Sequence, residues 1–285
     1  MSFVAAAARI PFCIILLVFF LFRRALALTP PRPFWFSPST LPAQTKGTTN
    51  EVVVFLHGRL EAEPGEVAFP PPAELYNDFC TALADALDAP VLMVDYHDTL
   101  ASKLSQEPRT WTWGPICQQI ASVVTREIGS SNKCANCCGI VLVTFSMGAA
   151  MGLKLLAGGL SAMQINKTIL IEPVWRCWLS LAPRNVPISQ VPTLAVWGTL
   201  DKDTLTDSGR NVSAALRPLL PNLQTHTLEG ANHWYILNAD IIASAELLQP
   251  NRPTQAPVAL QKELATIVGS FVSGLSLTTT TVERG

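Results

Sequence analysis

Short apolar runs, rich in β-branched residues, recur along the chain. They cover 51–56 (EVVVFL), 90–94 (PVLMV), 140–145 (IVLVTF), 168–171 (TILI) and 193–197 (TLAVW). Because these runs are bounded by turn residues and show no polar alternation, they predict central parallel strands covered on both faces. The segment 223–228 (LQTHTL) does alternate, so it predicts a more peripheral strand.

Apolar residues spaced about four apart predict helices between these strands. The helical patterns lie at 74–89, 115–128, 147–157, 238–248 and 258–275. This alternation predicts an α/β protein with a doubly wound, mostly parallel sheet. Only residues 172–192 separate the fourth and fifth runs, so we expect no large cap domain there.

The two ends of the chain differ from this pattern. Ile10–Phe22 carries no charge and precedes Ala25-Leu26-Ala27, a small-x-small cleavage pattern, so residues 1–27 are predicted to be a secretory signal. Arg23-Arg24 favours the alternative of a membrane anchor through residues 10–22, and organelle targeting also stays open. We expect an extended Pro-rich arm at 28–50, a folded domain at 51–275 and a flexible tail at 276–285.

Charge and cysteine usage narrow the class of protein. The chain has 285 residues, of which 49% are hydrophobic, and its 20 Lys+Arg balance 21 Asp+Glu. This composition excludes intrinsic disorder and gives no positive field for a nucleic-acid partner. Cys134-x-x-Cys137-Cys138 predicts disulfides or free thiols, because a zinc site needs four ligands and no second such pair is present.

A serine stands where the third central strand should turn into a helix. Ser146 lies in Thr144-Phe145-Ser146-Met147-Gly148, and functional residues of parallel sheets gather at the carboxyl ends of the strands. The helix behind Ser146 offers unpaired backbone N–H groups to developing negative charge. The context favours a nucleophile, and the alternative is an ordinary helix N-cap serine.

A nucleophilic serine needs a base and an orienting acid. Among the four histidines, His233 lies in a loop beyond a predicted strand, whereas His226 lies within that strand. Asp201 is the first carboxylate after Trp197-Gly198 and is the predicted acid, with Glu172 at the end of another strand as the fallback. Two further carboxylates nearby are expected to be solvated at a helix start, namely Asp203 and Asp207.

These motifs together resemble the α/β-hydrolase fold superfamily, in particular its serine esterases and lipases. Residues 144–148 match the nucleophile elbow, and Ser146, Asp201 and His233 follow the family's order along the chain. Leu56-His57-Gly58 resembles the oxyanion loop, which implies that the N–H groups of Arg59 and Met147 bind the oxyanion, with His57 ordering that loop. The resemblance runs from about residue 52 to about residue 275, and it implies no metal and no organic cofactor.

The expected activity is hydrolysis of a carboxylic ester or thioester through an acyl-enzyme. The substrate is expected to be a small or lipid-like ester with an apolar acyl group, because tryptophans cluster in segments that follow strand ends. These pocket candidates are Trp111, Trp113, Trp175, Trp178 and Trp234, and their alternative role is to pack loops onto the sheet. Two other functions stay open, an acyltransferase with the same triad and an inactive binding protein.

Overall fold

The computed structural model describes eleven stretches of the chain. They are residues 30–39, 50–58, 71–96, 113–132, 137, 139–159, 164–173, 188–201, 216–238, 240 and 256–275. Predictions for residues 1–29, for most of the 238–248 helix and for the tail 276–285 lie outside them. Within the described part of the chain, no helix combines the length and apolar character needed to cross a bilayer.

Seven strands form one sheet in the order β1-β3-β2-β4-β5-β6-β7. All neighbours are parallel except β1, which pairs antiparallel with β3 at one edge. The strands are β1 (Arg32–Phe36), β2 (Glu51–Leu56), β3 (Val91–Asp95), β4 (Gly139–Phe145), β5 (Ile165–Ile171), β6 (Thr193–Gly198) and β7 (Leu223–Leu228). The prediction of a mostly parallel α/β sheet is confirmed.

Helices cover both faces of the sheet. They are α1 (Pro72–Leu75), α2 (Asn77–Leu87), α3 (Trp113–Ser130), α4 (Gly148–Lys154), which continues as a π-helical turn at Leu155–Gly159, and α5 (Pro257–Val272). On one face, α2 and α5 pack against alternate strand residues such as Val53 and Phe55. On the other face, α3 and α4 pack against the intervening residues, such as Val52 and Val54. This double cover explains why β2 carries apolar residues at consecutive positions.

The arm predicted at 28–50 contains a strand that the sequence did not predict. Residues 32–36 pair with β3, and Pro33 faces Val94 across the pair. Proline is tolerated there because β1 is an edge strand, and an edge strand leaves one side of its backbone unpaired. The Arg32 guanidinium also donates to the Asp95 carboxylate at 2.9 Å, which fixes this end of the strand. The residues predicted as an unattached extended arm are therefore part of the sheet at 32–36.

Candidate active site

The turn between β4 and α4 holds Ser146 in a left-handed backbone conformation. Its φ is 52°, and its N–H donates to the Ile171 carbonyl at the end of β5. Only 7% of the residue is exposed. A non-glycine residue adopts this conformation at a cost, and such strain concentrates at functional sites. The backbone therefore presents Ser146 at the carboxyl edge of the sheet.

Glycines make room for this sharp turn. A Cβ on Gly148 would overlap the carbonyl oxygens of Leu56 and His57, so only glycine lets α4 approach β2 this closely. Thr144 is bulkier than glycine or alanine, and the space for its methyl group comes from Gly152, where a Cβ would meet that methyl. The Thr144 hydroxyl donates to the Ile169 carbonyl, so its polar atom is also satisfied.

We expect Gly148→Ala to destabilise the fold, because the obstructing atoms are backbone oxygens that cannot swing away. Overpacking of this kind costs about 1–3 kcal/mol, which should appear as a lower Tm. Gly129→Ala is the matched control, because its Cβ would have no neighbour within 4 Å on α3. The control should be neutral or more stable by about 0.5–1 kcal/mol. Equal Tm values for the two variants would contradict the close approach of α4 to the end of β2 at Gly148.

The loop after β7 brings His233 onto Ser146. His233 Nε2 lies 3.0 Å from Ser146 Oγ, and His233 Nδ1 lies 2.8 Å from Asp201 Oδ2. Asp201 is 2% exposed, and the His233 side chain is 11% exposed. The three predicted residues thus form one hydrogen-bonded chain, in which the carboxylate orients the imidazole and the imidazole faces the hydroxyl.

Backbone hydrogen bonds tie the loops of Asp201 and His233 together. Leu200 N–H donates to the Ala231 carbonyl at 2.8 Å, and Gly230 N–H donates to the Thr199 hydroxyl at 2.8 Å. Gly198 permits this contact, since a Cβ there would overlap the Ala231 carbonyl oxygen. The acid and the base are therefore held in register by their own loops.

One predicted oxyanion donor lies beside the serine. Met147 begins the turn into α4, and among the described residues no acceptor for its N–H is present. Such an orphan N–H at a helix start can bind a negatively charged oxygen. The other predicted donor, Arg59, lies outside the described residues. Its role stays a prediction.

His57 is fully buried just before that position. Its Nδ1 lies 2.6 Å from the Gly58 carbonyl oxygen, and its Nε2 accepts the Tyr96 N–H at 3.4 Å. The ring stacks on Tyr96, and the Tyr96 hydroxyl donates to the His57 carbonyl. The Asp95 Oδ1 atom lies 3.6 Å from His57 Nε2. This geometry agrees with an ordering role for His57. Among the described residues, the His57 ring makes no hydrogen bond to Ser146.

Solved structures of other proteins resemble this fold. The butyrate-bound structure of a thermophilic esterase from Thermogutta terrifontis is 14% identical, with a TM-score of 0.54, and the match covers 92% of this chain and 94% of that chain. Est1E from Butyrivibrio proteoclasticus is 11% identical, with a TM-score of 0.53 and coverage of 86% and 100%. Carboxyl esterase 2 from Tuber melanosporum is 14% identical, with a TM-score of 0.52 and coverage of 86% and 82%.

The chain has the α/β-hydrolase fold. No protein-family model and no curated protein sequence matches it, so the identification rests on the three-dimensional structure. At these sequence identities, the structural matches establish the fold and leave the substrate to be inferred from the site.

A second carboxylate accompanies Asp201 in this α/β-hydrolase fold. Glu172 follows β5 and is fully buried, and one of its oxygens, an Asp201 oxygen and a His233 nitrogen all lie within 4.8 Å of one another. These three groups could in principle hold a metal ion. Both imidazole nitrogens are already engaged, however, one by Ser146 and the other by Asp201, so the arrangement fits a triad better than a metal site.

The other predicted site residues lie in different surroundings. Trp234 is half-buried and meets the His233 ring edge-on, with the ring centroids 4.8 Å apart. Trp113 is the first residue of α3 and not part of a loop, and its role as a pocket residue stays a prediction. His226 lies half-buried on β7, and burial lowers its pKa while Glu263 opposes that shift. The pocket candidates Trp111, Trp175 and Trp178 lie outside the described residues, as do the carboxylates Asp203 and Asp207.

The described cysteines are free thiols. Cys80 and Cys117 are buried in the two cores that flank the sheet, and burial raises the pKa of Cys117 to about 12, against a smaller opposing effect of Lys154. Cys137 is half-buried, and it precedes β4 at the amino edge of the sheet. The rest of the Cys134–Cys138 cluster lies outside the described residues.

We expect replacement of the Cys134, Cys137 and Cys138 side chains to leave turnover of the folded protein unchanged. The seven residues of β4 separate this cluster from Ser146, a span of roughly 20 Å at ~3.3 Å per residue. A triple serine variant, assayed per folded molecule beside its Tm, tests this. Loss of turnover at an unchanged Tm would show that the cluster serves the active site, and stoichiometric zinc in the unmodified protein would contradict the prediction of disulfides or free thiols.

Three features of the site gave no clear signal in the sequence. Asp95 ends β3 and Tyr96 follows it, and both lie against His57, while Arg32 reaches Asp95 from the edge strand. The sequence predicts Glu172 only as a fallback acid, and in the structure it lies beside the predicted acid. For Asp95, Tyr96 and Glu172 the only available signal was position, because each ends or directly follows a buried strand.

Proposed function

We propose that this protein is a serine hydrolase that cleaves a carboxylic ester or thioester through an acyl-enzyme. The observation that supports the proposal most strongly is the hydrogen-bonded chain from Ser146 Oγ to His233 (3.0 Å) and from His233 to Asp201 (2.8 Å). These distances lie within the range required for a nucleophile, its base and an orienting acid. The strained backbone of Ser146 adds to this support.

Acylation would begin with attack of Ser146 Oγ on the acyl carbon. His233 Nε2 takes the hydroxyl proton, while Asp201 holds the proton on Nδ1 and stabilises the imidazolium. The carbonyl electrons move onto the oxygen, and Met147 N–H binds the resulting oxyanion. When the intermediate collapses, the bond to the leaving alkoxide or thiolate breaks and His233 returns its proton to that group.

Deacylation repeats these steps with water as the nucleophile. His233 Nε2 removes a proton from the water, the new oxyanion binds at the same N–H, and the collapse expels Ser146 Oγ, which recovers its proton from His233. Loss of a single oxyanion donor typically costs ~3 kcal/mol of transition-state stabilisation. The products are a carboxylic acid and an alcohol or thiol.

We further propose a short, apolar acyl group. The ring of the half-buried Trp234 lies near the His233 imidazole, at a centroid distance of 4.8 Å, and such a surface favours apolar groups. The similar Thermogutta esterase has been solved with butyrate and with propionate bound. Both acids are short, which is consistent with the same class of acyl group here.

A series of p-nitrophenyl esters from acetate to dodecanoate tests this proposal. We expect saturable hydrolysis with the highest kcat/KM for a short chain, and none above background for Ser146→Ala. Addition of methanol or glycerol distinguishes acyl transfer, which would give the corresponding ester instead of free acid. If the purified, folded protein hydrolyses none of these esters and no thioester, the proposed reaction is wrong.

A further inference from the structure

Glu172 is a buried carboxylate at the active site that the mechanism above does not use. We propose that Glu172 is a second positioning acid, which acts through His233 and can partly replace Asp201 as the partner of the imidazole. This inference rests on the proposed function, because it concerns the same triad.

The first support is the position of Glu172. It follows β5 directly, its N–H donates to the Val196 carbonyl of β6 at 2.9 Å, and its side chain is fully buried. An oxygen of this carboxylate lies within 4.8 Å of both an Asp201 oxygen and a His233 nitrogen. Glu172 and Asp201 therefore approach the imidazole from the ends of neighbouring strands.

The second support is the backbone of Glu172, which has a φ of 45°. Among the described residues, only two other non-glycine positions have a positive φ, and each has a clear reason. Asp88 ends helix α2, and Ser146 forms the nucleophile turn. A residue with a long side chain rarely adopts this conformation, and strain of this kind concentrates at functional sites. At Glu172, the strain holds a carboxylate at the triad.

The third support is a direct link to the Asp201 turn. Gly198 N–H donates to Glu172 Oε1, and the Gly198 carbonyl accepts the Asp201 N–H at 3.3 Å. The Glu172 side chain thus braces the same turn that carries the primary acid. A glutamine could accept the same Gly198 N–H through its amide oxygen, so Glu172→Gln removes the negative charge while keeping this brace.

The fourth support is electrostatic. Tyr235 is fully buried beside this site, and its burial, followed by the negative charges of Glu172 and Asp201, raises its pKa. Both carboxylates therefore act on the same buried region. Charges buried in this way are poorly screened by solvent, so the charge of Glu172 also favours the imidazolium that forms on His233.

Two substitutions of Asp201 separate the roles of the two acids. Asparagine fills the space of Asp201 and can point its NH₂ group at His233 Nδ1, which favours the tautomer that cannot accept the Ser146 proton. Alanine opens that space, so Glu172 can approach Nδ1. We therefore expect Asp201→Ala to retain more activity than Asp201→Asn, which is the opposite of the usual order for conservative and non-conservative changes.

The experiment is a double-variant cycle read by the rate at which a fluorophosphonate modifies Ser146. In this step a bond forms between Ser146 Oγ and phosphorus, fluoride leaves, and His233 takes the hydroxyl proton, so the rate reports activation of the serine without requiring an ester substrate. The variants are Asp201→Ala, Glu172→Gln and both together, each with its Tm. Glu229→Gln, which removes an exposed charge from the His233 loop, is the matched control.

We expect Glu172→Gln alone to lower the rate only a few-fold, because the charge that favours the imidazolium is lost while Asp201 still orients His233. Added to Asp201→Ala, it should lower the rate by a further factor of about 10 to 100, within the range of measured coupling between neighbouring residues. Glu229→Gln should not do so. Should Asp201→Ala fail to fold, Asp201→Ser serves in its place.

Strictly multiplicative effects, with no extra loss in the double variant, would show that Glu172 does not act on His233. A fall that only follows the Tm, or an equal fall with Glu229→Gln, would likewise overturn the proposal. Failure of the proposed function is distinguishable, because it would appear as intact Ser146 labelling without hydrolysis of any ester or thioester.

Discussion

Replacement of His233 by alanine should lower kcat for a short activated ester by about 10⁶-fold, because loss of the base from a serine triad has an effect of this order. His233 Nε2 lies 3.0 Å from Ser146 Oγ, and no other imidazole of the described residues reaches that oxygen. Without His233, none of the described residues is placed to take the Ser146 proton. The measurement is the initial rate with p-nitrophenyl butyrate, at saturating substrate and with a folded variant.

His226→Ala is the matched control for this prediction. His226 lies half-buried on β7, the strand that precedes the His233 loop. Its replacement by alanine creates a void of similar size to that of His233→Ala but removes no contact with Ser146. Its turnover should stay close to that of the unmodified protein. If His226→Ala lost its turnover while His233→Ala kept it, the base would have been assigned to the wrong residue.

Asp201→Asn should lower turnover of the same ester by about 10⁴-fold, as in comparable triads. Asparagine has nearly the same shape as aspartate, so the packing of this buried position is kept. The change removes the charge that supports the imidazolium and allows the wrong tautomer of His233. Because ester binding does not depend on Asp201 in this mechanism, we expect the loss in kcat and not in KM.

Asp203→Asn is the control, because this carboxylate is expected to be solvated and its change should behave as a surface substitution. Glu172→Gln in the same assay tests the fallback acid, which follows the neighbouring strand β5. If Asp203→Asn or Glu172→Gln caused the large loss of turnover while Asp201→Asn stayed active, the assignment of the acid would be wrong. Ser146 and His233 would keep their roles in that case.

The sequence predicted the central sheet because each buried strand is a short apolar run with clear ends. For β2 and β7 the predicted limits match the structure, and β5 begins three residues earlier than predicted because Ile165–Lys167 is only half-buried. The sequence also placed Ser146, Asp201 and His233 at strand ends, and parallel strands bring those ends to one edge. Chain order and strand direction therefore sufficed to bring these residues together.

The features of the fold and the site that the sequence did not predict depend on contacts between residues far apart in the chain. Pairing of β1 with β3 depends on an available sheet edge and on the Arg32–Asp95 ion pair, and neither appears in a local pattern of apolar residues. The stack of His57 on Tyr96 likewise depends on the register between β2 and β3. The approach of Glu172 to Asp201 required the backbone at Glu172 to turn left-handed, which a glutamate in the sequence does not predict.

The central claim is that Ser146 is an activated nucleophile, and labelling with a fluorophosphonate tests it most directly. The protein is treated with the probe, digested and analysed by mass spectrometry, with Ser146→Ala and heat-unfolded protein as controls. We predict one covalent adduct per chain, located on Ser146, which is absent from both controls and greatly slowed in His233→Ala. Absence of an adduct on folded protein, or an adduct on another residue that persists in Ser146→Ala, would contradict the account.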